Sequence, residues 1–184
     1  MVAGKVYRVN PLVNIATIVT FSRILLIPFF IFVTSARPLL GAAIFAIASL
    51  TDLIDGYIAR RARQVTKFGV LLDPIADKLL VVSALVLLVD MGLIPAWIAI
   101  VVIVREFLVT GLRIVALSRD IVIPAETGGK IKTVIQIVSV LLLLMSRAYI
   151  GVDFYSTGIV LLWVAMLIGV VSGVQYLILF WRRL

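Results

Sequence analysis

Four aspartates lie close together in this chain of 184 residues, which holds nine acidic residues in all. Asp52 and Asp55 are three positions apart, and Asp73 and Asp77 are four apart, so each pair shares one face of a helix. A helical hairpin that folds back between the pairs would bring the two faces together. The chain has no His and no Cys, and oxygen ligands alone favour hard ions such as Mg²⁺ or Mn²⁺. The spacing therefore predicts a site for two divalent cations, which could polarise a phosphoryl group.

The alternative for these aspartates is a set of buried salt bridges with Arg60, Arg63 and Lys78 nearby. An acidic group inside a membrane span costs about 2.5–3.5 kcal/mol even on the gentler insertion scale. Four carboxylates in one small volume would also repel one another. Ion pairing would account for one or two aspartates, whereas four at this spacing favour metal binding.

Small residues separate the two aspartate pairs. Gly56 and Ala59 lie one turn apart, and Gly69 precedes Asp73 by four positions. Small side chains would let a bulky ligand such as a nucleotide approach the backbone, although each could equally serve helix packing.

The elements that must position these residues are apolar. The chain is 64% hydrophobic with a mean hydropathy of +1.26, whereas soluble domains are usually about 45–50% apolar. A span needs roughly 20 apolar residues to cross about 30 Å of hydrocarbon. The pattern predicts one all-α integral membrane domain, residues 1–184, with six transmembrane helices and a short N-terminal interfacial segment. The predicted spans are 15–33, 38–58, 71–93, 96–117, 131–150 and 158–180.

The distribution of basic residues predicts the orientation of these spans. With both termini in the cytoplasm, only Arg37 and Arg147 of the 17 basic residues fall in outer connections, as the positive-inside rule requires. The aspartates then lie on the cytoplasmic side. The net charge of +8 suits anionic lipid headgroups. Because the basic residues flank apolar spans, the pattern argues against nucleic-acid binding.

The aspartates and small residues together form a longer pattern, which resembles the signature of the CDP-alcohol phosphatidyltransferase family. That resemblance implies a six-span fold, usually a homodimer, with a binuclear metal site on the cytoplasmic side. It also implies transfer of a phosphatidyl group from CDP-diacylglycerol to an alcohol, with CMP as the leaving group. The matching pattern is Asp52-x2-Asp55-Gly56-x2-Ala59-Arg60-x8-Gly69-x3-Asp73-x3-Asp77.

The resemblance also implies a role for each residue of the pattern. Asp52, Asp55 and Asp73 would bind the metals. Asp77 would complete the metal site and act as the general base that takes the proton of the acceptor hydroxyl. Four residues would line the CDP moiety, with the arginine meeting its phosphates: Gly56, Ala59, Arg60 and Gly69.

Further cations indicate the acceptor. Arg105 lies inside the fourth predicted span beside Glu106, Arg113 follows two turns later, and Lys130 and Lys132 flank the start of the fifth span. Arginine suits bidentate phosphate binding, so these four cations predict an acceptor that carries a phosphate. The alternative is that Arg105 pairs with an acid from another span and the lysines mark the inner membrane boundary.

Two segments around these cations, residues 105–113 and 129–133, look like those of a bacterial subfamily that makes phosphatidylglycerophosphate. The implied acceptor is sn-glycerol 3-phosphate, and the implied location is the bacterial plasma membrane. Inositol phosphate is the second acceptor to consider, and a cardiolipin-forming acceptor is the third. An ion or metal transporter is the alternative from another class, but the chain shows no inverted repeat.

A glycine pair in the last predicted span has two interpretations. Gly169 and Gly173 are four positions apart, which is typical of close helix packing in membranes. The pair could form a dimer contact or pack within the chain, and the sequence favours neither.

Overall fold

The computed structural model describes residues 15–62, 67–118, 127–147 and 153–182, and it describes side chains for 22, 24–51, 78–116, 131–147 and 153–182. The described residues form helices and no strand, which confirms the predicted all-α class. The predicted N-terminal interfacial segment lies outside the described residues. The six helices are α1 (Ile15–Ala36), α2 (Pro38–Ala62), α3 (Lys67–Asp90), α4 (Ala96–Ser118), α5 (Thr127–Met145) and α6 (Phe154–Trp181).

Each helix covers most of one predicted span, and the differences occur at the ends. α2 continues four residues past the predicted end, to Ala62, because Arg60 and Arg61 are good helix formers although they are not apolar. α3 ends at Asp90, where Gly92 takes a φ of +69° that favours glycine after a helix. α5 ends at Met145, five residues before the predicted end.

The helices pack around a common apolar core. α5 and α6 make the most extensive contact, followed by α1 with α3, α1 with α2, and α4 with α6. Phe30 of α1 and Phe45 of α2 are fully buried, with ring centroids 5.9 Å apart. On α3 and α5, Leu85, Leu88 and Leu143 are also fully buried.

Large apolar side chains also cover the outside of the bundle. All six helices carry exposed ones, including Phe32 of α1 at 77% and Ile47 of α2 at 66%. Among the described residues, α6 alone is long and apolar enough to cross a membrane by length and composition. Three shorter apolar stretches are Ile24–Ala36, Pro38–Thr51 and Ile131–Met145.

At one end of the bundle, the segment after α5 forms a hydrogen bond with the segment after α3. Arg147, just after α5, donates from Nη2 to the carbonyl oxygen of Met91, just after α3. The ends of α3 and α5 therefore lie at the same end of the bundle. The core helices α3 and α5 thus run in the same direction, as alternating spans predict.

Close contact between α5 and α6 forms what we call the apolar seam, made by Ser139, Leu143 and Gly158. Ser139 is fully buried, and its hydroxyl donates to the Gly158 carbonyl oxygen at 2.7 Å. A Cβ on Gly158 would lie only 2.9 Å from Leu143 Cγ. The absence of a side chain at Gly158 therefore allows the two helices to meet this closely.

Candidate functional site

The backbone is helical at all eight positions of the predicted metal and nucleotide pattern. Five positions lie in the second half of α2 and three in the first half of α3. Each aspartate pair thus lies on one face of a continuous helix, as the spacing predicts. The side chains lie outside the described part of the chain, so their arrangement stays a prediction: Asp52, Asp55, Gly56, Ala59, Arg60, Gly69, Asp73 and Asp77.

A buried carboxylate in α4 brings together cations from three helices. Glu106 Oε2 lies 2.7 Å from Lys78 Nζ of α3, and Oε1 accepts from Arg105 Nη1 at 3.0 Å. Lys132 Nζ of α5 also donates to Oε1. Glu106 is 4% exposed and Lys132 is 2% exposed. Because burial of a charge is costly without a partner, the contacts between Glu106 and these cations offset part of that cost.

Two groups of α6 extend this arrangement. Arg105 Nε donates to the Gly169 carbonyl oxygen at 2.8 Å, and Nη2 donates to the Ser172 hydroxyl at 2.6 Å. All three guanidinium nitrogens therefore contact protein groups. We call Lys78, Arg105, Glu106, Lys132 and Ser172, with the Gly169 carbonyl, the charged cluster.

The glycine pair of α6 makes room for this cluster. A Cβ on Gly169 would lie 3.4 Å from Lys132 Cδ and 3.6 Å from Arg105 Nε. A Cβ on Gly173 would lie 3.4 Å from Arg105 Cγ. Of the two interpretations of this pair, the structure supports packing within the chain, with a charged side chain lying across the glycines.

The charged cluster is tightly packed on its apolar side. A cavity of about 10 Å³ lies between α4, α5 and α6, bordered by Val102, Arg105, Lys132 and Met166 among others. Space of this size holds one water molecule at most. The cationic side chains are therefore fixed by surrounding atoms as well as by their hydrogen bonds.

The predicted acceptor residues differ in where the structure places them. Arg105 and Lys132 come together in the charged cluster. Arg113 is exposed on α4, and the side chain of Lys130 lies outside the described residues. Among the residues whose side chains the structure describes, the acid that contacts Arg105 is Glu106, its neighbour in the chain.

Three residues of the cluster have no assigned role in the sequence-based site. Glu106 could have been found because an acid inside a span requires a partner. Lys78 is predicted only as an alternative partner of the aspartates, and the structure shows its Nζ in contact with Glu106. The sequence gives no reason to single out Ser172, since a serine within an apolar helix is common.

Comparison with known proteins gives consistent matches over nearly the whole chain. A family model described as CDP-alcohol phosphatidyltransferase matches residues 13–173. The chain is 42% identical over 187 residues to the Bacillus subtilis CDP-diacylglycerol–glycerol-3-phosphate 3-phosphatidyltransferase, covering 93% of this chain and 97% of the relative. It is 36% identical over 180 residues to a probable phosphatidylglycerophosphate synthase of Mycobacterium tuberculosis, covering 94% and 84%. A Rickettsia felis protein with the same name as the Bacillus one is 34% identical over 169 residues, covering 89% and 93%.

Proposed function

Because the chain belongs to the CDP-alcohol phosphatidyltransferase family, we propose that it transfers the phosphatidyl group of CDP-diacylglycerol to sn-glycerol 3-phosphate. The products are phosphatidylglycerophosphate and CMP. The observation that carries this proposal is the 42% identity to a relative named for that reaction, over 97% of that relative's length. A match of this extent includes the aspartate pattern as well as the helices that follow it.

The proposed setting is a bacterial plasma membrane crossed by all six helices, with both termini and the aspartates on the cytoplasmic side. Exposed apolar side chains on every helix support this setting, because water would make such a surface prone to association. The excess of basic residues in the predicted inner connections supports the orientation. A homodimer is the proposed assembly, and light scattering of the purified protein in detergent tests it.

The proposed metal site consists of Asp52, Asp55, Asp73 and Asp77, with two Mg²⁺ or Mn²⁺ ions. The residues fit such ions, because each pair shares a face of a helix and their oxygens are the ligands that hard cations prefer. Bound ions would supply electrostatic stabilisation of the phosphoryl oxygens. Asp77 would take the proton of the acceptor hydroxyl as that oxygen attacks phosphorus.

The other proposed contacts hold the two substrates. Gly56, Ala59 and Gly69 would leave space for the CDP moiety, and Arg60 would meet its phosphates. The acceptor phosphate would bind near the cations described for the second half of the chain: Arg105, Arg113, Lys130 and Lys132. Two of these cations lie close together, since Arg105 and Lys132 contact the same oxygen of Glu106. Lys78 of the same cluster directly follows Asp77 in α3.

The test is an assay of the purified enzyme with CDP-diacylglycerol and a panel of acceptors. We expect CMP release and phosphatidylglycerophosphate with glycerol 3-phosphate, and little product with inositol phosphate or glycerol. Chelation of divalent cations should abolish turnover, and Asp77→Asn should do so while CDP-diacylglycerol still binds. A preference for inositol phosphate would overturn the product, and absence of CMP release with every acceptor would overturn the reaction.

A further inference from the structure

We propose that Glu106 and Ser172 are positioning residues, which hold Arg105 in the orientation that binds the phosphate of the acceptor. The inference rests on the proposed function, since it concerns the same acceptor. Neither residue is assigned to substrate contact. Each acts through the cation that it holds.

The position of Lys132 depends on Glu106. The lysine is 2% exposed and donates to Glu106 Oε1, so water cannot replace this partner. Arg105 Nη1 contacts the same oxygen, and Lys78 Nζ contacts the other. Without the carboxylate, these three cations would repel one another at short range. Lys132 would then turn away, and Arg105 would lose a contact that orients its guanidinium.

The orientation of Arg105 depends on both α4 and α6. Its guanidinium is fixed by Glu106 at Nη1, by the Gly169 carbonyl at Nε and by Ser172 at Nη2. Contacts at all three nitrogens define the plane of the group and the direction of its remaining N–H bonds. A phosphate then meets donors whose conformational entropy was lost on folding, so binding is tighter than to a free side chain.

A purely structural role for the cluster predicts a different result. If these contacts only joined α3, α4, α5 and α6, their loss would lower thermal stability and leave the KM of each substrate unchanged. Positioning predicts a selective rise in the KM of the acceptor, because its phosphate is the group that the cations meet. The KM of CDP-diacylglycerol serves as the internal reference.

The experiment compares purified full-length Glu106→Gln, Glu106→Asp and Ser172→Ala with the wild-type enzyme. Steady-state kinetics are measured with glycerol 3-phosphate varied, and then with CDP-diacylglycerol varied. For Glu106→Gln we expect the acceptor KM to rise about 10- to 100-fold, the size of one lost charge-assisted contact. The CDP-diacylglycerol KM should stay within about twofold. Glu106→Asp should recover part of the loss, and Ser172→Ala should raise the acceptor KM by about 3- to 10-fold.

Ser139→Ala is the matched control, because it removes a buried hydroxyl–carbonyl bond of 2.7 Å from the apolar seam. It should lower the unfolding midpoint without changing either KM. Should Glu106→Gln fail to fold, Ser172→Ala and Glu106→Asp decide the question. An unchanged acceptor KM in the folded variants, or equal changes for both substrates, would overturn the positioning role. A wild-type enzyme that forms no phosphatidylglycerophosphate would instead overturn the proposed function.

Discussion

Helix α6 contacts its neighbours through glycine in two places, and the two contacts differ in what fills the space. At the apolar seam, Gly158 meets Leu143, and its carbonyl accepts from Ser139. At the charged cluster, the Gly169 carbonyl accepts from Arg105 instead. Both glycines lack a side chain, and the carbonyl oxygen of each accepts a hydrogen bond from a neighbouring helix. One glycine lets two helices approach, and the other admits a cation between them.

The buried face of α5 connects these two regions. Lys132, Gln136, Ser139 and Leu143 follow one another at helical spacing, and each is at most 3% exposed. The polarity of this face changes from a charge to an amide, a hydroxyl and a hydrocarbon within three turns. Loss of packing should therefore affect activity at one end of the face and stability at the other.

The largest effect should come from Gly169→Leu. A Cβ at this position already contacts Lys132 Cδ and Arg105 Nε, so a leucine would displace both cations. Loss of two charge-assisted contacts of about 1.5–3 kcal/mol each corresponds to a fall in kcat/KM for the acceptor of at least about 100-fold. Val170→Leu, on an exposed neighbour, is the control. Near-normal kcat/KM in Gly169→Leu would show that the cations do not depend on this space.

Gly158→Ala should affect stability and not activity. Its Cβ would lie 2.9 Å from Leu143 Cγ and 3.2 Å from the Leu143 backbone nitrogen, so the helices must separate slightly. Overpacking of this kind costs about 1–3 kcal/mol of unfolding free energy. The measurement is the denaturation midpoint in mild detergent, followed by the KM values of the folded fraction.

Gly111→Ala is the matched control for that substitution. Gly111 lies within α4, and no atom of the described residues would come within 4 Å of its Cβ. Alanine there should raise stability by about 0.5–1 kcal/mol, since glycine is unfavourable inside a helix. Equal destabilisation by both alanines would contradict the argument from close packing.

Gln136→Leu should change stability less than Gly158→Ala does, and in the opposite direction, towards a higher unfolding free energy. The Gln136 side-chain nitrogen is buried and has no hydrogen-bond partner among the described residues. An unsatisfied buried donor costs about 1–3 kcal/mol, so leucine should leave the unfolding free energy equal or raise it by roughly 1 kcal/mol. Thermal denaturation of both proteins in the same detergent measures the change. A clear loss of stability would indicate a partner for the amide.

The smallest effect concerns the start of α6. Asp153 accepts from the Ser156 backbone N–H at 3.0 Å, and hydrogen bonds to Ser156 lower the pKa of this carboxyl below its usual 3.8. Its contribution to stability is therefore present above about pH 4 and is lost as the pH falls through the lowered pKa. Asp153→Asn can still cap the helix. The unfolding midpoint of this variant should fall less than that of the wild type between about pH 5 and pH 2. Identical pH profiles would contradict the assignment.

The helices were predictable because each lies largely within a run of mostly apolar residues in the sequence. Their ends were less so, because helix propensity carries α2 through Arg60 and Arg61, beyond the apolar region. Arg105 and Lys132 stand out in the sequence as charges in or beside spans. The sequence does not show that Glu106 is the partner of both, because adjacent residues on a helix do not normally face each other. The contact between Arg105 and Glu106 depends on their side-chain conformations in the folded bundle, which the sequence does not specify.

The pairing of Arg105 with its chain neighbour also bears on how the protein is made. A helix that enters the bilayer with an isolated charge is costly, and chains emerge from the ribosome in order, with the N-terminal part first. Lys132 and Ser172 are synthesised after α4 is complete, so they cannot assist the insertion that we propose for α4. Arg105 and Glu106 are only 3.0 Å apart between Nη1 and Oε1, so in the proposed membrane setting these two charges offset each other before the later helices are made. Later helices then add the contacts of Lys132, Gly169 and Ser172 to this local pair.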